Sequence, residues 1–179
     1  MQTKPMSPAV QPQVQLVPAT VPMLHAFNED RALFSALIGS DVPDGWPEFP
    51  EAIDFTLNHL ESAPEADHAW SMQFFVDAAT GRLLGSGGFA GRPVDRTVEI
   101  GYEVAPAFRG QGFGSAAARA LVERAVASGE VDHVIAHTQP GPNPSTGVLA
   151  SLGFEHVADQ DDSELGTVWE WRWTRPPGE

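Results

Sequence analysis

The sequence predicts an α/β domain in which helices cover both faces of a mixed, largely antiparallel sheet. Three observations carry that reading. Short apolar runs bounded by turn residues come as neighbours, as at 68–76 and 83–91 joined through Ala79-Thr80-Gly81-Arg82, the pattern of strands that turn back on themselves. Other segments repeat apolar residues every three or four positions, most clearly the alanine-rich stretch 112–128. The last run, 168–174, alternates: Trp169, Trp171 and Trp173 share one face, Glu170 and Arg172 the other, which is the two-residue period of a strand.

Taken in order, residues 1–12 hold Pro5, Pro8 and Pro12 among small and polar residues and are expected to form a flexible tail, leaving 13–175 as a single domain. Val14, Leu16 and Pro18 suggest a short first strand. From 21 to 38 the apolar positions Leu24, Phe27, Leu33, Phe34, Leu37 and Ile38 approximate the spacing of one helix, stopped by Gly39. A loop broken by Pro43, Pro47 and Pro50 and carrying Trp46 precedes a second helix over 50–61, with Ile53, Leu57 and Leu60 on one face. Strands over 68–76 and 83–91 follow, the second weakened by Gly85, Gly87 and Gly88, so irregular pairing is expected there. Residues 97–104 form the strand before a glycine loop. The helix behind it ends near Gly129, with Phe113, Ala117, Leu121 and Ala125 facing inward and Arg119 and Glu123 spaced to pair outside. A buried strand over 131–138, a short helix over 145–152 stopped by Gly153, and a strand opening at 154–157 complete the set. No internal repeat is visible.

Composition narrows the function classes. With 179 residues, 42% hydrophobic and 19% charged, the chain can bury a sizeable core. No apolar run reaches the roughly 18–20 residues of a membrane span, and the first residues lack a basic-then-apolar leader pattern, so a cytoplasmic location is expected. Zero cysteines exclude disulfides, thiolate-held zinc and a cysteine nucleophile. The net charge of −14 argues against nucleic-acid binding, which rests on neutralising phosphates with Lys and Arg, and suits a cationic acceptor such as an amine. His133 and His137 share a strand face, but no third ligand lies nearby, and no metal site is expected.

The most informative stretch is 109–114, R-G-Q-G-F-G, set between a strand and a helix. Gly110, Gly112 and Gly114 clear side chains from a turn whose backbone must approach a ligand, and the helix behind aims its free N–H groups and dipole at the same place. That is an anion site, and a diphosphate suits it. A Walker A loop needs Lys-Ser/Thr after its last glycine, where this chain has Ser115-Ala116. A dinucleotide fingerprint needs its glycines directly after the strand; here residues 105–109 intervene and the spacing is G-x-G-x-G, although Glu130 and Asp132 lie where an acid would be sought. The whole pattern, Val104-x-Pro106-x-x-Arg109-Gly110-x-Gly112-x-Gly114, resembles the acyl-CoA-binding motif of the GNAT N-acetyltransferase superfamily. The segment P-S-T-G-V-L-A-S-L-G-F at 144–154 resembles the branch that acetylates ribosomal-protein N-termini. The resemblance covers about 14–173, with its specific motifs confined to 99–114 and 143–154.

The resemblance implies a GNAT-like sheet with a splayed parallel strand pair and acetyl-CoA as cosubstrate. It also implies direct acetyl transfer to a primary amine, on a peptide N-terminus or a small molecule, without an acyl-enzyme. Val104 would pair with the pantetheine arm through its backbone. The pyrophosphate would sit on the amides of Gln111, Gly112, Phe113, Gly114 and Ser115, beside Gly110, with Arg109 shaping the loop or supplying charge. Asn143 resembles a residue that contacts the pantetheine arm, and it can equally serve the Pro142-Asn143-Pro144 turn. For the general base the strand E-I-G-Y-E offers Glu99 first and Glu103 second. Both stand on one face beside Gly101, where mutual repulsion would raise one pKa; ordered water is the other source. Ser145 matches the family's serine near the sulfur, or it caps the short helix. The familiar tyrosine one turn later is replaced by Leu149 or Ala150, and the only tyrosine in the chain is Tyr102. The acceptor side is assigned to the first helices and their loop, with Trp46 and Phe49, and with Asp41, Asp44 and Glu48 as possible cation partners. The tryptophan stripe is read as core, or as part of a possible homodimer face. A non-catalytic acyl-CoA sensor on the same scaffold and a partner-binding protein are the alternatives.

Overall fold

In the computed structural model, which describes residues 10–178, seven strands form one sheet in the order β1-β2-β3-β4-β5-β7-β6. The strands are β1 (Val14–Pro18), β2 (Met72–Asp77), β3 (Leu83–Phe89), β4 (Thr97–Val104), β5 (His133–Thr138), β6 (Glu155–Asp162) and β7 (Gly166–Thr174). The helices are α1 (Val21–Glu29), α2 (Arg31–Ile38), α3 (Glu51–Ser62), α4 (Phe113–Ala127) and α5 (Pro144–Ser151). Every pairing is antiparallel except β4 with β5. The mixed, largely antiparallel α/β architecture of the sequence reading is therefore the observed one.

Strand alternation divides the interior into two cores, one on each sheet face. Phe75, Leu84, Val98 and Ile100 meet Ala117, Leu121 and Ala125 of α4 on one face. Phe74 and Leu83 meet Phe27, Phe34, Ile53 and Leu57 of α1–α3 on the other. Leu121 is wholly buried, and truncating such a leucine to alanine costs about 2–5 kcal/mol. The four buried α4 alanines, Ala116, Ala117, Ala118 and Ala125, let the helix lie close on the sheet, which brings its N-terminus to the end of β4.

Several elements differ from the expectation for physical reasons. The single helix over 21–38 is two, because the Asp30 side chain accepts from the Leu33 N–H and starts α2 while its own N–H closes α1 on Ala26. That break turns Leu33 and Leu37 outward, about half exposed. The strand expected over 68–76 begins only at Met72, preceded by a 3-10 helix over Glu65–Trp70. The β3 glycines are close-approach positions: a side chain at Gly85 or Gly87 would run into the carbonyl oxygen of Glu103 or Gly101 on β4. Arg119 and Glu123 make no ion pair among the described residues; Arg124 instead donates to the buried Gln73 at 3.1 Å. Trp171 is buried and donates to Thr138 Oγ1 at 2.9 Å, and His156 stacks on Trp169, so the stripe packs within this chain. Of the expected tail, residues 1–9 lie outside the described residues, and the Pro12 ring rests near Gly112.

Candidate active site

The parallel pairing of β4 with β5 stops at Glu99↔Ile135, whereas β4 pairs with β3 as far as Val104. Beyond that point the strands part, and a groove of about 840 Å³ opens between them. Its floor and walls come from Tyr102, Glu103, Val104, His137 and Val168, its far end from the glycine loop, and α5 supplies Ser145 and Val148.

At the loop end, Gly110 and Gly112 both adopt the left-handed conformation, with φ of 73° and 87°. Gly112 is the N-cap of α4 and no side chain caps that terminus among the described residues. The first closed bond runs from the Ala116 N–H to the Gly112 carbonyl at 3.1 Å. The N–H groups of Phe113, Gly114 and Ser115 thus have no partner within the helix. Bare donors at the positive end of a 15-residue helix fit a diphosphate. Arg109 does not point into this cradle. Its Nε donates to the Val104 carbonyl at 2.9 Å and its guanidinium pairs with Glu48 at 3.3 Å, so the expected pantetheine acceptor on Val104 is taken by an arginine in this state. The Gln111 side chain likewise turns back to the Ala107 carbonyl.

Asn143 is the cap of α5. Its side-chain oxygen accepts from the Thr146 N–H at 3.0 Å, its side-chain amide donates to the Gln139 and Gly141 carbonyls, and its backbone N–H donates to Thr146 Oγ1 at 3.0 Å to complete a capping box. Asn143 lines the groove with its side chain already committed. Ser145 is not the cap and stands free to face the groove, opposite Tyr102. Among the described residues the buried Tyr102 hydroxyl has no well-formed hydrogen bond, although Ser145 stands close enough to influence it. Burial pushes its pKa up to about 12, and the Ser145 hydroxyl offsets this only in part. The tyrosine one turn into α5 is missing, yet a tyrosine does reach the groove, from β4.

The two carboxylates of β4 part company. Glu103 lines the groove and accepts from the Glu48 N–H at 3.1 Å. Its pKa is raised, first by burial, then by the Glu48 and Glu51 carboxylates, against the lowering effect of the Glu48 N–H and Arg109. The expected repulsion from Glu99 is not the cause. Glu99 is not among the groove-lining residues; its Oε1 accepts from His137 Nδ1 at 2.8 Å, and His137 is the side chain that faces the groove. His137 Nε2 is buried, without a hydrogen bond among the described residues, 3.8 Å from Glu170. His133 pairs with Thr174 at 3.0 Å instead, and no group of three or more metal-ligating side chains occurs among the described residues. Trp46 is not an acceptor-side residue: it is buried between Phe27, Phe34 and Phe74 with its Nε1 donating to Ser86 at 3.0 Å. Sequence reasoning missed Tyr102, His137, Leu165 and Val168. Only the strand alternation that put His137 on the same face as His133 hinted at any of them.

Residues 15–155 match the family model described as an acetyltransferase (GNAT) domain. The chain belongs to the GNAT acetyltransferase family. No curated protein sequence matches it. Solved structures agree with the GNAT fold. The ribosomal L7/L12 α-N-protein acetyltransferase RimL in complex with coenzyme A is 16% identical, with a TM-score of 0.63 and coverage of 91% of this chain and 94% of that one. RimJ of Mycobacterium smegmatis, with a coenzyme A disulfide, is 18% identical, with a TM-score of 0.61 and coverage of 92% and 84%. The microcin C7 self-immunity acetyltransferase MccE, in complex with acetyl-CoA and AMP, is 15% identical, with a TM-score of 0.63 and coverage of 90% and 92%. At these identities the likeness is one of fold, and it spans acetyltransferases named for a ribosomal protein and for microcin self-immunity. No helix among the described residues is long and apolar enough to cross a membrane.

Proposed function

We propose that this GNAT protein transfers an acetyl group from acetyl-CoA directly to a primary amine. The observation that carries the reading is the uncapped α4 terminus opening onto the same groove as a half-buried carboxylate. Acetyl-CoA supplies an activated thioester carbonyl. The N–H groups of Phe113, Gly114 and Ser115, with the turn at Gly110–Gly112, hold its diphosphate, and Gln111 and Arg109 keep the loop in shape. The β4 edge at Val104 receives the pantetheine arm once Arg109 gives up its carbonyl bond.

Glu103 removes the ammonium proton. A carboxylate held above its usual range is a better base near neutral pH than an ordinary surface glutamate. Glu99 acts through His137, which it fixes by the Nδ1 bond. Ser145 and Tyr102 face the position of the departing sulfur. A phenol at about 12 keeps its proton against a thiolate whose ordinary pKa is about 8.5, so the pair donates hydrogen bonds to developing negative charge and the final proton comes from solvent. No cysteine is available for an acyl-enzyme, which favours direct attack.

The test is release of free thiol from acetyl-CoA across a panel of amines and peptides, with the acetylated product identified by mass. Product with at least one amine, depending on Glu103, is expected. Tight coenzyme binding with no product from any amine would instead mark a sensor.

A further inference from the structure

We infer that the acceptor is a singly charged primary amine bearing a large apolar group close to its nitrogen, held between Phe49 and Leu165 with its ammonium at Glu103. This rests on the transferase reading and adds the substrate class. Two exposed large hydrophobic side chains, Phe49 at 56% and Leu165 at 62% exposure, both line this one groove. They come from unrelated segments, the loop leading into α3 and the turn between β6 and β7. Val168 joins them: it is 7% exposed, lines the groove, and belongs to neither core. Apolar side chains kept in water at the rim of a concave site form a surface that gains free energy only when a ligand covers it.

Charge sets the rest of the class. Glu48 is paired with Arg109, and Glu99 is bonded to His137. Among the described residues this leaves Glu103 as the groove carboxylate without a cationic side chain in a salt bridge. One carboxylate matches one ammonium. A polyamine would place its further charges against Phe49, Leu165 and Val168, where desolvation is not repaid. An amine with an aryl or branched alkyl group puts carbon there instead. Free amines and peptide N-termini beginning with Phe or Leu share this chemistry, and the assay separates them.

The experiment compares kcat/KM, by thiol release, for phenethylamine, ethanolamine and spermidine, and for the peptides Phe-Gly-Gly and Ser-Gly-Gly. Coenzyme affinity is measured in parallel by calorimetry. At least about a tenfold preference for the apolar member of one pair is expected, as hydrophobic pockets give. The pair that shows it identifies a free amine or a peptide terminus as the source. Phe49→Ala and Leu165→Ser should each shrink that ratio, whereas Phe55→Ala, at a still more exposed phenylalanine outside the groove, should leave it intact. Leu165 sits on an exposed turn, so its variant reports even where Phe49→Ala disturbs folding. Equal rates for apolar and polar acceptors, a preference for spermidine, or a ratio untouched by both rim variants would overturn the inference while leaving the transferase reading in place. Coenzyme binding with no turnover of any acceptor would end both.

Discussion

The two ends of the groove are built from different materials. At the end we assign to the coenzyme, the groove presents backbone N–H groups, fixed by two glycines with positive φ and by the first turn of α4. At the end we assign to the acceptor, it presents side chains from β4, β5, the loop before α3, α5 and the β6–β7 turn, which meet only through tertiary packing. A backbone site is encoded locally and tolerates few residue types. A side-chain site is assembled from afar and can change its acceptor without altering the fold. Solved GNAT structures named for a ribosomal protein and for microcin self-immunity share this fold at similar TM-scores, in keeping with that division.

The contrast can be broken most directly at Gly112. Gly112→Asp places a negative charge at the mouth of α4 and strains a residue at φ 87°; the rise in melting temperature with acetyl-CoA should vanish, and affinity should fall by about a hundredfold or more. An unchanged thermal shift would remove the backbone cradle from the account. At the acceptor end, Glu103→Gln should lower turnover by about 10²-fold with coenzyme affinity preserved. The acid limb of the kcat/KM profile should lie above the ordinary glutamate value of about 4.3 and disappear in the variant. The stability sign follows from the same raised pKa. Ionised Glu103 disfavours the fold, so Glu103→Gln should melt slightly higher than wild type above that pKa. The difference should fade as the pH drops until Glu103 is protonated in both folded and unfolded chains. A variant that melts lower at neutral pH would contradict the burial argument.

Smaller effects sharpen the division of labour. Ser145→Ala removes a hydrogen bond to developing charge and should slow turnover about tenfold or more, with KM for the amine little changed. Glu99→Gln keeps a neutral acceptor for His137 and loses only the charge, so a decline of about fivefold is expected. A drop at Glu99→Gln that exceeds the one at Glu103→Gln would reverse their roles.

Much of the scaffold could be read from sequence because its signals are short-range: the alternation at Trp169–Trp173, the turn at Gly81, the glycine-marked start of α4. The missed break at Asp30 shows the limit. A periodic apolar pattern runs straight through it, and only the aspartate's cap on the Leu33 N–H separates two helices. The site divides in the same way. The glycine turn at 110–112 and the uncapped start of α4 were legible because the motif is contiguous. The pairing of Glu103 with the Glu48 N–H and of Glu99 with His137, and the approach of Ser145 to Tyr102, join residues more than 35 positions apart. No local pattern distinguishes those residues from ordinary strand charges. Trp46 erred the other way: a tryptophan in a proline-rich loop reads as a binding residue, but its indole N–H had a buried partner in Ser86.

The most direct test of the central claim is a crystal structure of the protein with coenzyme A. The diphosphate oxygens should lie within hydrogen-bonding distance of the Phe113, Gly114 and Ser115 N–H groups, with the pantetheine arm running along Val104 toward Ser145. Coenzyme bound elsewhere, or an α4 terminus still bare with the coenzyme in place, would contradict the account.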